Sequence, residues 1–191
     1  FPHVAAAAAK RYTIPAKQAF SGLKGYQRML DAGLIDAIVL ETPPCFFPEH
    51  AAAAVKAGCH VYMAKPVAID VPGCLLIEKL GQASTKANKV FLVDFQTRTN
   101  EYYIESIKRI HAGAIGKIGI ANSVYLDDGF SDRPYQKTIA SRLTGLAWVN
   151  DISLGGGYFV NAGIHSLDVA LWALKDQHPS SAMGESKIVG E

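Results

Sequence analysis

Between residues 36 and 95 short apolar runs alternate with longer stretches of helical periodicity, and this alternation constrains the fold more than any other feature of the chain. The runs fall at 36–41, 60–64 and 90–95, and the helical stretches at 48–58 and 71–88. Three strands joined by helices of that length must run parallel, with right-handed crossovers and helices over the sheet faces. Strands covered on both faces should be apolar throughout; Ala37-Ile38-Val39-Leu40 and Val90-Phe91-Leu92-Val93 comply. Ahead of them, the alanine-rich run at 3–12 predicts a helix on propensity, and 27–32 predicts a second.

After Phe95 the rhythm changes, with a helix expected at 101–111, a glycine turn at 113–116 and a strand at 117–126. Residues 127–150 are polar and irregular, which suits a long surface excursion over a cleft, and 157–174 again reads as helix. A domain boundary near Phe95 follows. The first part has the βαβαβ order of a Rossmann half, yet no Gly-x-Gly-x-x-Gly loop occurs anywhere. The chain begins mid-pattern at Phe1-Pro2-His3, and Gly190-Glu191 reads as a chain cut inside a sheet domain, so an internal fragment is expected.

Composition narrows the function classes. Hydrophobic residues make up 49% of the chain, enough to bury a core, and a formal net charge of +2 with dispersed Lys and Arg speaks against a nucleic-acid or polybasic membrane partner. Small neutral substrates fit better. No apolar run approaches the roughly 18 residues of a membrane span, and the first residues lack a signal-peptide layout, which leaves a cytoplasmic location as the default while the true N-terminus is expected upstream. Cys45, Cys59 and Cys74 are odd in number and lack C-x-x-C spacing, so small buried thiols are expected, with no disulfide frame and no metal site.

In open parallel sheets ligands bind beyond the carboxyl ends of the strands, where loops and helix N-termini converge. Thr42-Pro43-Pro44, Lys65-Pro66 and Gln96-Thr97-Arg98 each follow a strand and so open onto one edge of the sheet. Taken singly, prolines that stop strands and polar residues that fill loops explain each of them as well. At 100° per residue, Asn161, His165, Asp168 and Trp172 form one stripe of the last helix, beside a core-facing stripe of Ile164, Leu167, Leu171 and Leu174. Asp168 stands one turn after His165, in position to orient or charge-stabilise the imidazole, although a lone helical histidine is more often structural. Gly155-Gly156-Gly157 has no strand leading into it and suits a close backbone approach to a ligand or a flexible helix entrance. Tyr102 and Tyr103 offer a sugar-stacking face, or core aromatics.

The order Thr42-Pro43, Glu49-His50, Ala57-Gly58-Cys59-His60-Val61, Ala64-Lys65-Pro66, Gly155-Gly156-Gly157 and Asn161-Ala162-Gly163-Ile164-His165-Ser166-Leu167-Asp168 resembles the Gfo/Idh/MocA oxidoreductases over essentially the whole chain. The resemblance implies a partial NAD(P)-binding Rossmann domain at 1–95. It implies at 96–191 the start of an α+β open mixed-sheet domain that carries a small-molecule carbohydrate substrate and a homo-oligomer interface in the full-length protein. It implies NAD or NADP as cofactor, with Thr42, Pro43, His50, Lys65, Pro66, Gln96 and Arg98 on the cofactor side. In that family the lysine of E-K-P hydrogen-bonds the reacting hydroxyl and the D-x-x-x-H pair supplies the base, which Lys65, Asn161 and His165 match as catalytic and substrate-binding positions. Imidazole titrates near neutrality, as that task requires.

Two positions depart from the pattern. Ala64 removes a carboxylate that would neutralise Lys65, and Asn161 stands where the family has Asp. Asparagine cannot take a proton but still hydrogen-bonds a hydroxyl, leaving the base duty to His165. The resemblance implies oxidation of a hydroxyl of a sugar, glycoside or cyclitol. Two alternatives stay open: an NAD-dependent glycosidase working through transient C3 oxidation, and a non-catalytic sugar-binding homologue.

Overall fold

The computed structural model describes residues 1–126, 138, 142–143 and 147–185. Most of the excursion expected at 127–150, and the chain end at Gly190-Glu191, lie outside the described residues. The elements in order are α1 (Pro2–Arg11), α2 (Gly25–Asp31), β1 (Ala37–Leu40), α3 (Phe47–Lys56), β2 (His60–Ala64), α4 (Val71–Lys86), β3 (Phe91–Asp94), α5 (Glu101–His111), α6 (Ile152–Gly155), a π-turn at Phe159–Gly163 and α7 (Ile164–Ala173). The chain forms two compact units, Phe1–Phe95 with Leu126–Ile164, and Gln96–Tyr125 with His165–Glu191. Among the described residues no helix is long and apolar enough to cross a membrane.

The first unit is built on a parallel sheet of order β1-β2-β3, with Ile38 opposite Val61 and Met63 opposite Val93. Strands that advance in one direction with right-handed crossovers put both connecting helices on one face, and α3 and α4 accordingly pack on each other as well as on the strands. Ile38, Leu40, Val61, Met63, Phe47, Ala51, Ala54 and Ile77 form the core between them. The opposite face differs from expectation. Val39, Tyr62 and Leu92 are 64%, 37% and 48% exposed, so strands that are apolar throughout are buried on one side.

Local chemistry sets the helix ends. Asp70 caps α4, its Oδ1 accepting the Gly73 N–H at 2.7 Å, and Pro72 occupies the first turn where no N–H is needed. Gly73 is there for space: a Cβ would stand 2.7 Å from Ala68 Cβ, 2.8 Å from the Asp70 carboxylate and 3.1 Å from Pro48 of α3. Of the three cysteines, all free, Cys59 is buried as expected. Cys45 is half-buried and Cys74 is exposed, because position 74 falls on the outward face of α4.

In the second unit Asn100 Oδ1 caps α5 through the N–H groups of Tyr102 and Tyr103, and Lys108, Arg109 and His111 lie in its last turn, where cations suit the helix dipole. Ile107 is its buried residue, and Tyr102 and Tyr103 point outward, so the core alternative for these aromatics does not hold. Residues 117–126 do not form the expected strand. They run without a sheet partner among the described residues, with Ile120 83% and Val124 74% exposed. Side chains fasten the run to α7 in place of a backbone ladder: Ser123 Oγ donates to Ser166 O at 2.6 Å, and the Tyr125 ring stacks 5.7 Å from that of His165.

The crowding around Gly73 makes a direct test. Gly73→Ala is expected to lower the unfolding free energy by about 1–3 kcal/mol, the usual cost of overpacking, read from urea melts of the two proteins.

Candidate functional site

In the first unit the strand ends carry the polar residues. After β1, Thr42 Oγ1 lies 3.3 Å from His50 Nδ1, joining two residues singled out in the sequence. The His50 ring stacks on Phe46 at 5.7 Å and lies against Tyr26 at 4.2 Å, and burial among these groups pushes its pKa down, opposed by the Glu49 charge. A neutral imidazole at this position suits a hydrogen bond with the Thr42 hydroxyl. Glu49 itself faces outward, accepting from Lys24 Nζ at 2.9 Å and Tyr26 Oη at 2.5 Å.

After β2, the Lys65-Pro66 peptide bond is cis and Pro66 is fully buried. Lys65 Nζ donates to the backbone carbonyl of Asn161 at 2.5 Å, tying together residues 96 positions apart. Burial lowers the Lys65 pKa and the Asp94 charge opposes that shift. Asp94 ends β3 directly opposite Ala64, and its Oδ2 accepts from Tyr62 Oη at 2.7 Å. Neither Tyr62 nor Asp94 was among the residues the motifs single out. The visible signal is that Asp94 closes an otherwise apolar run; its place beside Ala64 depends on strand register, which the motifs do not contain.

The triple glycine serves packing and turning. A Cβ on Gly155 would fall 2.6 Å from the Trp148 carbonyl oxygen, and Gly156, with φ +82°, ends α6 in the left-handed region. The turn at Phe159–Gly163 then has π geometry, which is wider than an α turn, so a stripe drawn at 100° per residue does not carry through Asn161. The Asn161 residue is buried.

In the second unit His165 and Asp168 are the buried residues of α7, whereas Leu167, expected in the core stripe, is 46% exposed. Arg98 accounts for the reversal. Its Nε donates to both oxygens of Asp168 at 3.0 Å, and Nη2 to Asp176 Oδ1 at 2.7 Å. Its guanidinium lies 5.3 Å from the centre of the Trp172 ring. The carboxylate that the sequence offers to His165 is thus held by Arg98, and the Arg98 pKa is raised, first by Asp176 and then by Asp168. Charged groups that satisfy one another can be buried where a leucine need not be. Gln96 opens a short 3-10 turn, its carbonyl accepting from Thr99 Oγ1 at 2.8 Å, with its side chain exposed. His111 Nε2 lies 2.8 Å from the Trp172 carbonyl near the end of α7.

Residues 2–95 match the family model described as an oxidoreductase family with an NAD-binding Rossmann fold, the Gfo/Idh/MocA family. Residues 2–95 belong to this family. Relatives of the chain include D-glucoside 3-dehydrogenase of Escherichia coli, 27% identical over 86% of this chain and 45% of that protein. Among Gfo/Idh/MocA structures, the aldose-aldose oxidoreductase of Caulobacter crescentus in complex with glycerol superposes with a TM-score of 0.65 at 25% identity, covering 92% of this chain and 48% of that one. Scyllo-inositol dehydrogenase of Lactobacillus casei with bound NAD(H) and scyllo-inositol gives 0.57 at 25% identity, over 78% and 40%. The chain spans less than half the length of each.

Two outcomes follow from these contacts. Asp168→Ala should lower the unfolding free energy by about 1.5–3 kcal/mol, the scale of a charged hydrogen bond lost from a buried site, and Asp176→Ala, at the exposed end of the same guanidinium, by less than about 1 kcal/mol; urea melts of both variants decide the order. His50, with its folded pKa below the ordinary 6.5, contributes stability present above that value and lost as pH falls below it. His50→Gln should therefore flatten the fall in melting temperature between about pH 7 and pH 5.

Proposed function

We propose that the full-length protein is an NAD(P)-dependent oxidoreductase that oxidises a hydroxyl of a sugar, glycoside or cyclitol, with residues 1–95 contributing to the cofactor domain and 96–191 to the substrate domain. The observation that carries the reading is the hydrogen bond from Lys65 Nζ to the Asn161 carbonyl, which links the two motifs on which the family's chemistry depends. Glucoside, aldose and inositol oxidoreductases among the relatives support the substrate class.

The donor set at the strand ends fits a nicotinamide cofactor. The Thr42 hydroxyl, after β1, and the Lys65 ammonium, after β2, are hydrogen-bonding groups of the kind that the carboxamide of a nicotinamide takes. Thr42, Pro43, His50, Lys65 and Pro66 would hold it, with Gln96 from the turn after β3. Arg98 serves this reading through α7, since Asp168 and Asp176 occupy its guanidinium. When bound, NAD or NADP supplies the hydride acceptor.

Lys65, less well solvated than a surface lysine, donates a hydrogen bond to the oxygen of the reacting hydroxyl and stabilises charge that develops there. A ring nitrogen of His165 takes the hydroxyl proton, its ring plane steadied by the Tyr125 stack. The Asn161 side-chain amide hydrogen-bonds a neighbouring hydroxyl and orients the ring without exchanging a proton. Bringing Lys65 and His165 to one hydroxyl is the central claim of the reading.

In the full-length protein, with NAD or NADP and a panel of inositols, aldoses and glucosides, Lys65→Met and His165→Ala should each depress nicotinamide reduction by at least about a hundredfold. Near-normal turnover in both variants overturns the assignment.

A further inference from the structure

Seven of the ten residues of α7 are apolar, and they stand on every side of it. At about 100° per residue, Leu167, Val169, Ala170, Leu171, Trp172 and Ala173 leave no flank of the helix polar. Such a helix has no single stripe for hydrophobic burial to select. The exposures agree: Val169, Ala170, Leu171, Trp172 and Ala173 are all half-buried, yet His165 and Asp168 are buried and Leu167 is 46% exposed. Apolar area alone would bury a leucine ahead of an imidazole and a carboxylate.

Arg98 reaches α7 from the turn ahead of α5, which is closed by the Thr99 hydroxyl on the Gln96 carbonyl and followed at once by the Asn100 cap. Its Nε donates to both Asp168 oxygens at 3.0 Å, its guanidinium lies 5.3 Å from the centre of the Trp172 ring, and Nη2 holds Asp176. Positions 168, 172 and 176 are four apart, so these contacts follow one stripe of α7 and its continuation. Other fastenings select less. Ser123 donates to the Ser166 carbonyl and His111 meets the Trp172 carbonyl, and carbonyls recur at every residue of a helix. Asp168 is the one acidic residue of α7.

We propose that the Arg98–Asp168 pair selects the rotation of α7 and that Arg98 is thereby a positioning residue for His165. Asp168 follows His165 by three residues, about 60° away around the helix axis, so the rotation that gives the arginine its carboxylate also buries the imidazole. Leu167 is what that rotation leaves outside. A carboxylate taken out of water is stable only beside its counter-charge, and this sets the rotation where apolar contacts are indifferent to it. Arg98 acts through Asp168 and the backbone of α7, with no contact to the imidazole required.

The inference deepens the reading above, which gives His165 its chemistry, and its test needs neither substrate nor nicotinamide. Hydroxyl-radical footprinting with mass spectrometry reports the exposure of His165 and Leu167 in one measurement. In Arg98→Leu, oxidation of His165 should rise and that of Leu167 fall, their ratio increasing by at least about threefold, less than a full exchange of exposures of 7% and 46% would give. Opposite signs mark a rotation, because fraying of α7 would raise both. Leu167→Asp combined with Asp168→Leu keeps the composition and moves the carboxylate by about 100° around the axis. The helix should turn after it, again raising His165 oxidation by at least about threefold, while Ile107, buried on α5, stays protected.

An unchanged footprint in Arg98→Leu, a joint rise of His165 and Leu167, or an unchanged His165 in the exchanged pair with Ile107 protected each overturns the proposal. The exchanged pair remains decisive if Arg98→Leu does not fold. Should His165→Ala abolish turnover of the full-length protein while Arg98→Leu leaves the footprint unchanged, the oxidoreductase reading stands and the role of Arg98 alone falls.

Discussion

The structure depends on β2 being hydrogen-bonded on both sides within a parallel ladder. A central strand has no free edge, so its residues cannot shift by one position without turning every side chain to the other face. Val61 and Met63 are completely buried under α3 and α4, and that burial fixes the register from which Lys65 emerges. The buried Pro66 follows immediately, so the lysine leaves the sheet between two buried flanks, Met63 and Pro66. A functional ammonium on a flexible loop would have to pay for its own ordering; here the sheet core has already done it.

Half-buried charges are each compensated locally, by different means. Arg98 is met by two carboxylates and an indole face, Lys65 by a backbone carbonyl and the field of Asp94, and His50 by losing affinity for its proton. The three solutions have different consequences. The arginine pairing ties the turn after β3 to the middle of α7 and to the residues just past its end, through the planar fork of the guanidinium. The lysine contact uses one donor of three and leaves the others for a ligand.

The alternation of apolar runs and helical stretches between 36 and 95 was legible because a parallel βαβ unit leaves few other topologies open, and the three strands lie within a residue or two of the runs that announced them. The capping residues Asp70 and Asn100 likewise act locally, through side chains three residues or fewer from their partners. What the sequence did not disclose depends on long-range register or on non-standard local geometry. Asp94 beside Ala64 requires knowing which residues of two strands stand opposite. The pairing of Arg98 with Asp168 spans 70 positions. The run at 117–126 alternates like a strand, yet alternation states only which side chains face the same way, and Ser123 and Tyr125 use it to grip a helix.

The π-turn at Phe159–Gly163 leads directly into α7. A π-turn is in effect an α-helix with one additional residue in a single turn, and each residue of an α-helix advances the azimuth by about 100°. Shortening this turn by one residue would leave the helix regular but turn the faces of α7 by about that angle relative to the residues before it. A point substitution cannot reach that rearrangement. Among related chains, insertions and deletions at this turn would therefore act as a dial for which side chains the last helix presents, independently of the residues themselves.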